Sequence, residues 1–363
     1  MIESHPKGTM ESRIARLDLQ VQRLNPAYFA MVMATGALAI SAQLLNVILL
    51  ARVLTWLNAF AFVVLCVMTI ARVILYPRDL WHDLTNHRIG IAFFTIVAAA
   101  GVLGSQFIVI IPHRLVAKCL WIAAVILWVF FTYAIFVAFT VDEEKPSLAE
   151  GINGGWLVAV VGTQAIPSLG ALLLPAAGPH REMILFTSLC FWLCGGMLYI
   201  WTISLIFYRY NFFRFLPTDL MPPYWINMGA MAISTLAGSL LVEAAGNGGF
   251  LQQFIPFLKG FTVWFWATAT WWIPMLVVLG FWRHVYKKLP LAYDPLYWGA
   301  VFPLAMYTLA TFRLSQAMGL SFLMWIPHYF IYIALVAWLA AFIGMVKRII
   351  SVSLAARPKS VGR

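Results

Sequence analysis

The sequence predicts an all-α polytopic membrane protein with ten transmembrane helices, and three observations carry that reading. Ten apolar runs of 20–25 residues fill the chain, each long enough to cross a ~30 Å hydrocarbon layer at about 1.5 Å per residue. Their interiors hold only two charged residues, Arg72 and Arg313. At 63% apolar and 10% charged residues, a water-soluble fold would lack the polar material to cover its surface. The runs are continuous rather than alternating in character, which argues against a β-barrel.

The runs read as 26–45, 53–75, 89–111, 119–140, 154–175, 183–207, 223–242, 260–281, 296–318 and 323–346. They leave a basic tail at 1–25, one membrane domain at 26–346 and a second basic tail at 347–363. The first run has full span length and no small-residue cleavage pattern, so it reads as a span and not as a removable signal. Arg72 sits near the end of the second run, where a snorkelling anchor is the default. Pro167 in the fifth run and Pro303 in the ninth each remove a backbone donor and free the carbonyl four residues back, those of Thr163 and Gly299. Both helices are expected to bend there. Pro274 in the eighth run shows that a proline alone does not mark a pore-lining helix. Cys66, Cys119, Cys190 and Cys194 all fall inside runs and read as small packing residues.

Orientation follows from Lys and Arg. With the N-terminus inside, 18 of the 24 collect on the cytoplasmic side, leaving Arg52, Arg114, Lys118, Arg181, Lys259 and Arg313 on the other. Both termini are therefore expected in the cytoplasm, with the chain integral to a plasma membrane of the bacterial inner-membrane kind. The net charge of +11 is mostly this topology signal. It is not a nucleic-acid footprint, because no basic run is interleaved with base-stacking aromatics.

The runs alternate in character. Odd-numbered ones are rich in Gly, Ala, Ser and Thr, whereas even-numbered ones carry bulky aromatics such as Trp264, Phe265, Trp266, Trp271 and Trp272. Small residues let helices approach closely and large apolar ones suit lipid, which places odd helices inside and even helices outside. Gly36-Ala37-Leu38-Ala39-Ile40-Ser41 in the first run matches Gly229-Ala230-Met231-Ala232-Ile233-Ser234 in the seventh. Parallel repeats about an axis along the membrane normal produce such a match. The expectation is five helical hairpins around a central pore.

Three stretches carry a resemblance to a known family. They are Asn25-Pro26-Ala27-Tyr28-Phe29-Ala30-Met31-Val32-Met33-Ala34-Thr35-Gly36, Pro223-Tyr224-Trp225-Ile226-Asn227-Met228-Gly229 and Trp298-Gly299-Ala300-Val301-Phe302-Pro303-Leu304. All three resemble the tellurite-resistance/dicarboxylate transporter family, which includes bacterial tellurite-resistance permeases, fungal malate permeases and sulfite efflux pumps, and plant slow anion channels of guard cells. The resemblance implies a central anion path, a homotrimer, and a phenylalanine of the ninth span occluding the pore, for which Phe302 is the matching residue. It implies small inorganic anions or C4-dicarboxylates such as malate as partners, with a sulfite-efflux or tellurite-resistance role, and no cofactor. The chain departs from the family in lacking mid-span prolines in the first, third and seventh runs.

The residues themselves disfavour an intramembrane enzyme, since no His-Glu-x-x-His arrangement or Gly-x-Ser-x-Gly elbow occurs. Asp79, His82, Asp83 and His87 form the best cluster of ligand types, but polar loop residues near headgroups account for them and no metal site is expected. Every acid lies outside the runs, the nearest being Glu243 at the outer end of the seventh. That favours passive anion flow, with a proton-coupled C4-dicarboxylate carrier as the alternative. Thr35, Thr95, Thr163, Gln164, Ser234 and Thr308 lie at mid-depth on odd runs. As a set they are expected to line the path, where hydroxyl and amide groups replace part of an anion's hydration; singly, each can instead tie helices together. Arg313 follows Phe302 by eleven residues, about 1,100° of rotation and ~16 Å of rise, so both are expected on the axial face. At the outer mouth Arg313 either draws anions in or pairs with Glu243, and the two readings can coexist.

Overall fold

A computed structural model describes residues 18–246 and 249–354. The basic positions Lys7, Arg13, Arg16, Arg357, Lys359 and Arg363, on which part of the orientation argument rests, lie outside the described residues, as does His5. Every described element is helical. Ten long helices follow one another: α1 (Phe29–Leu44), α2 (Ile48–Leu75), α3 (Phe94–Val109), α4 (Arg114–Val141), α5 (Val158–Leu173), α6 (Arg181–Phe212), α7 (Ile226–Ala245), α8 (Ile255–Phe281), α9 (Trp298–Met318) and α10 (Trp325–Leu354). Nine of them, with their flanking turns, are long and apolar enough to cross a membrane. The other, α9, has comparable length but carries Tyr307, Thr308, Thr311, Arg313, Ser315 and Gln316. Because α10 continues to Leu354, residues 347–354 extend the last helix.

Residue size decides which helices go inside. The five odd helices close into a ring, α1 on α3, α3 on α5, α5 on α7, α7 on α9 and α9 on α1. In four of them 72–94% of the most apolar stretch is buried, against 22–39% in the five even helices, which face outward. Where lipid surrounds the helices, close van der Waals packing replaces the hydrophobic drive, and glycine permits it. A Cβ on Gly101 would lie 2.7 Å from that of Ala165, and one on Gly229 would lie 2.7 Å from Cγ of Pro303.

Each outer helix lies beside its own hairpin partner and reaches the next inner helix with a polar side chain. Asn58 of α2 donates to Gln106 of α3 at 2.6 Å, and Trp128 of α4 to Thr163 of α5 at 2.7 Å. Trp192 of α6 donates to the Ser234 carbonyl of α7 at 2.9 Å, Trp266 of α8 to Thr311 of α9 at 3.0 Å, and Trp338 of α10 to Thr35 of α1 at 2.9 Å. Each such bond contributes on the order of 0.6 kcal/mol in a membrane. Repeated around the ring, they fix the register of the outer layer on the inner one.

Arg72 is not a snorkelling anchor. It is 3% exposed, with Nη2 2.5 Å from Oδ2 of Asp83 and Nη1 donating to the Leu24 carbonyl at 2.7 Å. The short helix Pro77–Thr85 follows α2 directly and supplies Asp83, so protein takes the place of a headgroup. Asp79 accepts from Gln22 at 2.7 Å, and His87 stacks on Phe139 at 4.0 Å, where burial holds the imidazole below its ordinary pKa. Among the described residues no group of three or more His, Cys, Asp or Glu is placed to hold a metal ion.

Candidate functional site

The five inner helices all start at one end of the ring, here called basal, and each is led in by a single 3₁₀ turn: Pro26–Tyr28, Gly90–Phe93, Gly154–Leu157, Pro222–Trp225 and Pro295–Tyr297. Side-chain caps fix three of these starts, Asn25 accepting from the Ala27 amide at 2.9 Å, Asn153 from Gly155 at 2.8 Å and Asp294 from Leu296 at 2.8 Å. The starts converge on a chamber of about 510 Å³ bordered by all five inner helices, with Asn25, Thr95, Asn153, the cations Arg88 and Arg209 and the acids Glu150 and Asp219 among its walls. Helix N-termini carry a partial positive charge, so this chamber favours anions. Arg209 reaches in from α6. It is 8% exposed, donates to the Ile152 carbonyl at 3.1 Å and to the Tyr224 hydroxyl, and lies 4.0 Å from Asp219.

A second chamber lies farther along the axis. It holds about 20 Å³, little more than one water, and is walled by apolar side chains of all five inner helices together with Ser105, Ser168 and Arg313. Arg313 forms an ion pair with Glu243 at 3.6 Å, with the two side chains 18% and 36% exposed.

One face of α9 joins the chambers. Gly299 borders the basal one and Met306, Leu309 and Arg313 border the distal one. Phe302 stands three residues after Gly299 and four before Met306, on the same face by helical periodicity, and is wholly buried. On the other helices the positions one turn from the chamber-lining residues are mostly small, Ala34 and Ala37 on α1, Ala98 on α3, Gly162 on α5 and Gly229 and Ala230 on α7, with Val161 of α5 a larger exception. Pro303 lies inside α9 with its ring against Gly229, and Pro167 lies inside α5.

Of the six polar residues expected along the path, Thr95 borders the basal chamber. The others border neither chamber. Thr35 and Thr163 accept the tryptophans of α10 and α4, and Gln164 donates to the Trp192 carbonyl at 3.0 Å. Ser234 and Thr308 bond to their own helix, to the Ala230 and Leu304 carbonyls. Ser105 and Ser168 line the distal chamber although nothing in the sequence separates them from these ties. They too sit on inner helices and bond to the carbonyl four residues back. Arg209 was legible only as a topology charge.

The profile of the voltage-dependent anion channel family, SLAC1, matches residues 23–346. The chain belongs to that family. An uncharacterised transporter of Methanocaldococcus jannaschii is 25% identical over 337 residues, 91% of this chain and 96% of its own length. A second transporter of that organism, also uncharacterised, is 27% identical over 304 residues, 82% of this chain and 85% of its own. An uncharacterised membrane protein of Mycobacterium tuberculosis is 38% identical over 148 residues, 41% of this chain and 75% of its own. As a member of the SLAC1 family the chain is an integral membrane protein of an anion channel and transporter class.

Proposed function

We propose that the chain conducts small anions passively along the axis of the ring, with Phe302 as the side chain that closes the path. The observation that carries this reading is the α9 face, where Gly299 borders one chamber, Met306 the other, and Phe302 stands between them. A phenyl ring across a narrow passage excludes water and ions without any charge. Five helix N-termini and Arg209 make the basal end attractive to anions. On this reading the basal chamber opens to the cytoplasm, as the Lys/Arg distribution requires, and its 510 Å³ accepts chloride, nitrate, sulfite or a C4-dicarboxylate such as malate. Passive flow is favoured over proton-coupled carriage because Glu243, inside α7, is engaged by Arg313 and Asp219 faces Arg209 at 4.0 Å, leaving Glu150 at the basal chamber as the carboxylate without an ion pair among the described residues.

Flux of a panel of anions through purified protein in liposomes tests this. Phe302→Ala is expected to raise flux several-fold. A purely packing phenylalanine would instead cost about 3–5 kcal/mol of stability with no gain in flux. Unchanged flux in a folded Phe302→Ala protein refutes the gate, and saturable malate uptake driven by a pH gradient would replace the channel with a carrier. Reporters fused after Lys145 and after Leu354 should both signal cytoplasm; a signal from the opposite side at either overturns the orientation.

A further inference from the structure

We propose that the groove between α9 and α10 at the basal end binds an anionic phospholipid, an acyl chain lying along the groove and the phosphate resting on Lys347 and Arg348. The groove holds about 490 Å³ and faces outward. Ala300, Val301 and Leu304 of α9 form one wall, and the small residues Ala337, Ala341 and Gly344 leave α10 recessed opposite them. Tyr293 closes the basal end, its ring so near Gly344 that a Cβ there would lie 2.6 Å from Cδ2.

Length and charge identify the occupant. From Ala337 to Lys347 the groove spans ten residues of α10, about 15 Å, which is half of a ~30 Å hydrocarbon layer and therefore one leaflet. Lys347 then stands at headgroup depth, beside the tyrosines expected at that level. Lys347 and Arg348 are exposed, and no carboxylate among the described residues lies within 4.0 Å of either. The loop 287–294 adds Lys287 and Lys288 to the same end of the molecule, against one carboxylate, Asp294, which accepts from the Leu296 amide. A ligand apolar over one leaflet and anionic at its basal tip matches these features. A zwitterionic lipid would keep the apolar contact and lose the net charge attraction. The site is independent of what passes along the axis.

Native mass spectrometry of the full chain, titrated with phosphatidylglycerol and phosphatidylcholine of identical acyl chains, tests the site. Phosphatidylglycerol should be retained in preference. Lys347→Gln combined with Arg348→Gln should cut that preference about fivefold for each cation removed. Ala340→Phe, at an exposed position in the groove where a larger side chain does not displace the core, should weaken retention of both lipids. Equal retention of the two lipids by the unaltered chain, an unchanged preference in the double variant, or unchanged retention in Ala340→Phe overturns the proposal. So does disulfide cross-linking between copies through Ala340→Cys in native membranes, above that of a chain with only its native cysteines, since a second copy would then occupy the groove.

Discussion

Arg313 and Glu243 are 3.6 Å apart at the end of the distal chamber, so together they bring almost no net charge to that mouth. Removing one partner therefore does not merely subtract an attraction; it uncovers the other charge. Arg313→Gln leaves a carboxylate at the mouth and Glu243→Gln leaves a guanidinium. For an anion about 7 Å away in water, a unit charge is worth about 0.6 kcal/mol, close to threefold in local concentration. The expected outcome at 10 mM salt and pH 8 is a fall in anion flux of about threefold for Arg313→Gln, a rise of about threefold for Glu243→Gln, and near-unaltered flux for the double variant. At 1 M salt, where the screening length is about 3 Å, all four proteins should converge. Liposome flux at the two ionic strengths measures this. If the single variants shift flux in the same direction, or their effects survive 1 M salt, the pair acts through packing and not through charge at the mouth.

Two further outcomes follow from close contacts. Gly229→Ala places a Cβ 2.7 Å from the Pro303 ring, which cannot rotate away, so α7 and α9 must part beside Phe302. Thermal unfolding should show a loss of about 1–3 kcal/mol, with raised basal flux, and an undiminished melting temperature would contradict the seam described. Arg72→Met strands Asp83 and frees the Leu24 carbonyl. Asp83 keeps 24% exposure, so the cost should be about 2–4 kcal/mol, below the range for fully buried pairs; a variant as stable as the parent would show that lipid can replace the pair.

The architecture was legible because a membrane imposes it. Span length and the segregation of small from bulky residues follow from what bilayers and helix contacts demand, and the ring of odd helices realises both. The site was less so. Thr35 and Thr163 are polar residues on inner helices, as a pore would require, yet each spends its hydroxyl on a tryptophan of the outer layer. Which side of an inner helix faces the axis depends on how five helices are rotated together, and a nearly uniform Gly/Ala surface has no strong periodicity to announce it. On α9 too the sequence offers no such face, since Val301, Leu304, Tyr307 and Phe312 are large and buried like Phe302, Met306 and Leu309; Phe302 was singled out by the family resemblance alone. Arg72 misled for a different reason: its partner Asp83 comes from the short helix that follows α2, a fold-level contact that a linear count of residues from the span end does not contain.

The placement of charge along the proposed path bears on how an anion would move through it. A lone buried guanidinium would hold an anion tightly, and each 1.4 kcal/mol of extra binding makes its release about tenfold slower. The cations here are all moderated. Arg209 shares its charge with Asp219 and the Tyr224 hydroxyl, Arg313 is paired with Glu243, and Arg88 is exposed at the basal rim where salt screens it. Helix N-termini supply the rest, each worth about 0.3–1 kcal/mol to an anion at an exposed site. Attraction spread over several weak sources raises occupancy without creating a deep well. On the proposed path the steepest barrier would then fall where no charge acts at all, at the wholly buried ring of Phe302, and movement of that one side chain would set the rate.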